Sequence, residues 1–141
     1  MNINECLEKG YLTKIEPDKE LIKKEIEESE YDFEKAKKTF DDKDYKWSII
    51  KSYYAMFHVA RALLFKLGLK EKRHFAISVV LDELNKKGKM ERKYVNYFNA
   101  GVSSREDVDY HYVYSAKIAQ DNLMISNDFK ERVKEMINNG L

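Results

Sequence analysis

Between Tyr45 and Leu67 the apolar residues fall into two helical stripes instead of one. Trp47, Ile50, Tyr54, Phe57, Arg61 and Leu64 form the first; Ile49, Tyr53, Met56, Ala60, Leu63 and Leu67 form the second. A helix with one stripe lies on a surface, whereas a helix with two is packed on more than one side. This segment is therefore expected at the centre of the fold, with Gly68 capping its C-terminal end. The 141 residues include only one proline and five glycines. Sandwiches and barrels need many more turn residues, so the neighbours of the central helix are expected to be helices too.

The rest of the chain fits that expectation. Residues 1–16 offer one or two amphipathic turns through Ile3, Leu7 and Leu12. Pro17 suits the first turn of a helix, and Asp18 and Glu20 suit its positive end. Ile22, Ile26, Ser29, Phe33, Ala36 and Phe40 then recur at alternating steps of four and three, a single buried stripe. The Lys and Glu residues between them read as a solvated face. Asp41 to Asp44 form a turn, with Asp44 as the next N-cap. After the central helix, Leu69 to His74 read as a basic loop, followed by a short helix carrying Phe75, Val79, Leu81 and Leu84 and stopped at Lys86-Lys87-Gly88-Lys89. A further helix starts near Met90. Its end has two readings: Gly101 caps it and Ser103-x-x-Glu106 opens the next helix as a capping box, or it runs on to about Arg105. The last helix, from about Tyr114, keeps its spacing through Ile118, Asn122, Ile125, Phe129, Val133 and Met136. The expected fold is all-α: an antiparallel up-and-down bundle of four principal helices with one or two short extra helices, residues 1–141 forming one domain.

A net charge of +1 gives no global field for nucleic acid, so any RNA contact must come from a local patch. Cys6 is the single cysteine and cannot form an intrachain disulfide. No apolar run approaches membrane-spanning length and no signal-peptide pattern is present, so a cytoplasmic protein without a membrane partner is expected. Phosphate-binding Gly-rich loops, nucleophile elbows, zinc helices and the Glu-x-x-His pairs of di-iron bundles are all missing, and neither metal nor cofactor is expected. What chemistry remains lies in Arg105-Glu106-Asp107-Val108-Asp109-Tyr110-His111. Arginine supplies a fixed cation and histidine a proton exchanger near neutral pH, which together suit a phosphodiester. Basic clusters at Lys72-Arg73-His74 and Lys86 to Lys93 are candidate RNA or nucleotide contacts against the plainer reading of solubilising loops. Arg61, on an apolar stripe, calls for a charged or carbonyl partner more than for a ligand.

The run Ser52-Tyr53-Tyr54-Ala55-Met56-Phe57-His58-Val59-Ala60-Arg61-Ala62-Leu63-Leu64, with Gly68, Lys72-Arg73-His74 and Arg105…Asp109-Tyr110, resembles the small prokaryotic HEPN-domain proteins over residues 18 to 138. The resemblance implies a helical bundle that usually dimerises. It also implies, for members with an Arg-x(4–6)-His motif, a metal-independent endoribonuclease, often the toxin beside a nucleotidyltransferase antitoxin. Other members are non-catalytic nucleotide-binding or partner subunits. Arg105 and His111 have the permitted five residues between them, with Asp109 and Tyr110 in supporting positions; Glu106 departs from the Asn, Asp or His usual after the arginine.

In an unbroken helix a step of six residues leaves two side chains roughly 120° apart. One protomer would then struggle to aim both Arg105 and His111 at one phosphate; a kink at 106–111 would solve this, as would a two-fold dimer that brings two of each to a shared cleft. The expected chemistry is attack by the RNA's own 2′-hydroxyl, with His111 as acid or base and Arg105 on the phosphorane. The competing readings are a helical adaptor with Arg105 and Asp109 as a plain i, i+4 pair, and a non-catalytic partner of a nucleotidyltransferase.

Overall fold

Asp18 starts the bundle: its carboxylate accepts the backbone N–H of Glu20 at 2.8 Å and of Leu21 at 3.3 Å. In the computed structural model, which describes residues 1–140, the elements run α1 (Ile3–Glu8), β1 (Leu12–Lys14), α2 (Lys19–Asp41), α3 (Tyr45–Lys66), β2 (Leu69–Glu71), α4 (Phe75–Lys86), α5 (Arg92–His111) and α6 (Ala116–Asn139). The fold is an all-α bundle of four long helices, α2, α3, α5 and α6, with α1 and α4 as the short extras. Pro17 stands one residue before the cap and not in the first turn, because the Asp18 carboxylate takes the capping position.

Helix α3 is the centre, with fourteen of its residues buried, and both stripes are covered except at the first turn. There Trp47 is 46% exposed, beyond the reach of the neighbouring helices, with Lys46 over its ring. Asp44 caps α3 as expected, accepting the N–H of Trp47 at 3.3 Å. Two serines let α2 and α3 approach closely: Ser29 Oγ donates to the Ala55 carbonyl at 2.5 Å and Ser48 Oγ to that of Ala36 at 2.9 Å. That explains a serine in an otherwise apolar stripe, since a small hydroxyl satisfies itself on the facing backbone. The α2 stripe otherwise packs as read, with Phe33 and Ala36 buried.

Two expectations need correction. Leu69 to Glu71 are not loop but a strand paired antiparallel with β1, Leu12 opposite Glu71 and Lys14 opposite Leu69. Leu12, Leu69 and Glu71 are buried on the inner side, and the N–H of Lys72 extends the pairing to the Tyr11 carbonyl at 2.8 Å. Helix α5 ends at neither Gly101 nor Arg105 but continues to His111. Gly101 is buried mid-helix, where it clears the Met56 side chain of α3. Ser103 therefore caps nothing; Ser115 caps α6 by accepting the N–H of Ile118 at 3.2 Å.

The α5–α6 contact centres on Phe98 and Phe129, ring centres 5.6 Å apart and both fully buried. Helices α2 and α6 are clamped by Lys130, 3% exposed, whose Nζ lies 3.0 Å from Glu30 and 2.9 Å from Glu131, with Lys134 adding a 2.7 Å contact to Glu30. Among the described residues no helix is long and apolar enough to cross a membrane.

Candidate functional site

Arg105 projects from the middle of the second half of α5 onto the aromatic turn of α3. Its guanidinium carbon lies 4.6 Å from the Tyr54 ring centre and 5.1 Å from that of Tyr53, and its Nε donates to Asp109 Oδ2 at 3.3 Å. Two rings below and a carboxylate one turn on leave the arginine little freedom, which is how a cation is held ready for an anion. The cleft in front of it measures about 410 Å³ and is walled by Tyr53, Tyr54, His74, Phe75, Arg105 and Tyr110. Glu106 and Asp109 line it as well, so its electrostatics are mixed and not simply basic. Burial pushes the Tyr53 phenol up from its ordinary value, with Arg105 pulling it partly back, so Tyr53 is a neutral hydroxyl at physiological pH.

His111 stands elsewhere. It is the last residue of α5, its side chain 67% exposed, with Nδ1 3.4 Å from Asp107 Oδ1. Because α5 is unbroken from Arg92 to His111, the six-residue step carries His111 around the helix from Arg105 and out of the cleft wall. The helix stops immediately after it: Tyr112 adopts a left-handed conformation (φ 56°), and its N–H and that of Val113 both return to the Asp107 carbonyl. Tyr110, Tyr112, Val113 and Tyr114 are all exposed around this end.

The other sequence candidates separate. His74 joins Arg105 in the cleft, at the start of α4, its ring 4.9 Å from Phe57. Lys72 and Arg73 are exposed beside it. Arg61 has the partners its position called for: Nε is 2.6 Å from Glu71 Oε1 and one terminal nitrogen 3.4 Å from Glu25, between the rings of Phe57 and Phe65. A wider depression of about 600 Å³ runs along Tyr94, Asp128, Arg132 and Asn138. Its cations are already engaged, Arg132 by Glu91 and Glu135 and Lys134 by Glu30, which leaves it less suited to an anionic ligand.

Sequence reading missed Tyr53, Tyr54 and Phe75 as cleft walls, since tyrosines at helical spacing read first as core. It also missed a polar seam between α2 and α3, where Glu25 and Asp32 of the supposed solvated face meet His58.

A bundle with this arginine cleft on its third long helix defines a class, and sequence comparison agrees. The HEPN domain model matches residues 22–139, and the chain belongs to that family. Among curated proteins it is similar to two from Methanocaldococcus jannaschii. One, named "Putative toxin MJ0142", is 25% identical over 90 residues, covering 63% of this chain and 61% of that protein. The other, named "Putative toxin MJ0605", is 37% identical over 59 residues, covering 42% of this chain and 44% of that protein. The matched regions thus span less than two thirds of either relative.

Proposed function

We propose that this protein is a metal-independent endoribonuclease of toxin type, its residues 1–141 acting as one domain, dimeric in the cytoplasm and restrained by a nucleotidyltransferase antitoxin. The observation that carries the reading is the paired placement at the end of α5. Arg105 is fixed in a nucleotide-sized cleft, and His111 projects one and two-thirds turns further on, beside a run of exposed aromatic residues. Exposed aromatics clustered at one end of a helix suit a two-fold contact, and such a contact supplies what one chain lacks. His111 of a second copy would reach the phosphate held by the first copy's Arg105.

In this mechanism His111 takes the proton of the RNA 2′-hydroxyl as that oxygen bonds to phosphorus. The bond from phosphorus to the 5′-oxygen breaks, and an imidazolium returns a proton to the leaving oxygen. The products are a 2′,3′-cyclic phosphate and a free 5′-hydroxyl. Arg105 meets the charge on the equatorial phosphorane oxygens, Asp109 keeps its guanidinium aimed, and Tyr110 closes the cleft.

A second reading, a non-catalytic nucleotide-binding or partner subunit, is favoured by one specific feature: Glu106 lines the cleft as a second carboxylate. Cleavage of a labelled single-stranded RNA separates the two. His111→Ala and Arg105→Ala should each abolish cleavage while leaving the dimer intact in sedimentation. Cleavage unchanged in His111→Ala would overturn the ribonuclease reading.

A further inference from the structure

The seam between α2 and α3 holds a set of donors that the ribonuclease reading does not use. Glu28 and Asp32 lie one turn apart on the same face of α2, and His58 faces them from α3. One ligand atom from each lies within 4.8 Å of the other two. Sequence spacing hides this set, because its members come from two helices.

The histidine is oriented by a fourth residue. His58 Nδ1 is 2.7 Å from Glu25 Oε2, a short bond that places the Nδ1 proton toward Glu25 and turns the Nε2 lone pair to the opposite side. Carboxylate, imidazole and metal in that order is the usual way a protein fixes a ligating histidine. Arg61 Nη1, 3.4 Å from the other Glu25 oxygen, holds the Glu25 side chain in place.

The far side of the ring has the matching geometry. His58 Nε2 is 3.5 Å from Asp32 Oδ2, longer than the roughly 2.7–3.2 Å of an N–H···O hydrogen bond. It lies close to the edge, about 3.3–3.4 Å, of a tetrahedron whose metal–ligand bonds are about 2.0–2.1 Å. The Asp32 side chain is only 13% exposed, and among the described residues no lysine or arginine nitrogen lies within ion-pair distance of it. After His58 itself, Lys51 is the cation that acts on it most, without a direct contact. Glu28 is exposed and long enough to swing in. Two carboxylates and a neutral imidazole balance a charge of +2.

We propose that Glu28, Asp32 and His58 bind one divalent ion of the zinc type, with Glu25 as the positioning residue for the imidazole and water in the fourth place. The site ties the middle of α2 to α3 and takes no part in the RNA chemistry, so it stands whether or not the ribonuclease reading does.

The test uses the full chain, stripped with chelator, titrated with Zn²⁺ by calorimetry and with Co²⁺ by visible absorbance. One ion per chain is expected, with the intense Co²⁺ bands of a four-coordinate site and a raised melting temperature. His58→Gln and Asp32→Asn should lose the bands. Glu28→Gln, at an exposed position, should keep the wild-type melting curve without metal and bind at least tenfold more weakly. Glu25→Gln should weaken binding by about 10–100-fold. The double variant His74→Ala/His111→Ala should bind as the wild type does. Absence of one-to-one binding by the wild type would overturn the proposal, as would equal affinity in Glu28→Gln or loss of the bands in the His74/His111 double variant.

Discussion

The guanidinium carbon of Arg105 lies 4.6 Å from the centre of the Tyr54 ring, so the one cation of the cleft rests on a face of the central helix. If that contact aims Arg105 at a phosphate, Tyr54→Phe should keep RNA cleavage and Tyr54→Leu should lower it about fivefold to tenfold, the rate equivalent of a contact of about 1 kcal/mol. Initial rates on a labelled RNA, with melting curves as a control, read this directly. Equal rates for the two variants would show that Tyr53 and Asp109 suffice to hold the arginine.

The exposed aromatics after His111 carry a separate prediction. On the dimeric ribonuclease reading proposed above, Tyr112→Asp and Tyr114→Asp should shift the protein from dimer to monomer in analytical ultracentrifugation and should lose cleavage in proportion. Neither should change the monomer's melting temperature by more than about 0.5 kcal/mol equivalent, because both side chains are exposed.

Acid should loosen the clamp between α2 and α6. Burial pushes the Glu30 carboxyl up, but hydrogen bonds from Lys134 and Lys130 outweigh it and hold the group below its ordinary value. A folded-state pKa below the unfolded one means that the unfolded chain binds more protons in that interval. The stabilisation is present above about pH 4.3, the unfolded glutamate value, and disappears as the pH falls through the folded one. Glu30→Gln should flatten this acid limb in urea titrations run between pH 3 and 6. At neutral pH it should cost about 1–3 kcal/mol, since buried Lys130 loses one of its two carboxylates.

Gly101 offers a packing test. A methyl group there meets the terminal carbon of Met56, the flexible end of a side chain that can move aside. Removing a mid-helix glycine also gains about 1 kcal/mol of helix propensity. Gly101→Ala should therefore stay within about 1 kcal/mol of the wild type, whereas Gly101→Leu should cost about 1–3 kcal/mol through overpacking. Thermal melts distinguish the two.

The central helix was legible because its two stripes are dictated by burial on several sides, and the cap at Asp44 because a carboxylate before a helical run has one good use; the start of α2 was misplaced through Pro17, which stands outside the helix while Asp18 caps it. The end of α5 was not. Gly101 looks like a stop in sequence, yet its real reason is the approach of Met56, a contact 45 residues away that no local pattern carries. The strand pair was hidden likewise, since Leu12–Lys14 and Leu69–Glu71 are too short to show alternation and make sense only opposite each other. At the site, the six-residue step correctly separated Arg105 from His111, while the rings beneath Arg105 were hidden by their resemblance to core. Glu25 and Asp32 failed for the opposite reason: charges between apolar stripe positions look solvated until a histidine from the next helix faces them.

The pairing of β1 with β2 places the first residues of the chain in contact with one wall of the cleft. Tyr11, one residue before β1, has its ring 5.0 Å from that of Phe75, and its carbonyl holds Lys72, two residues before His74. The HEPN match begins only at residue 22, so the segment that braces this wall lies outside the shared domain. Substitutions in the opening sixteen residues can thus shift the Phe75 wall while the four long helices stay as they are, a division between a fixed scaffold and an adjustable jaw.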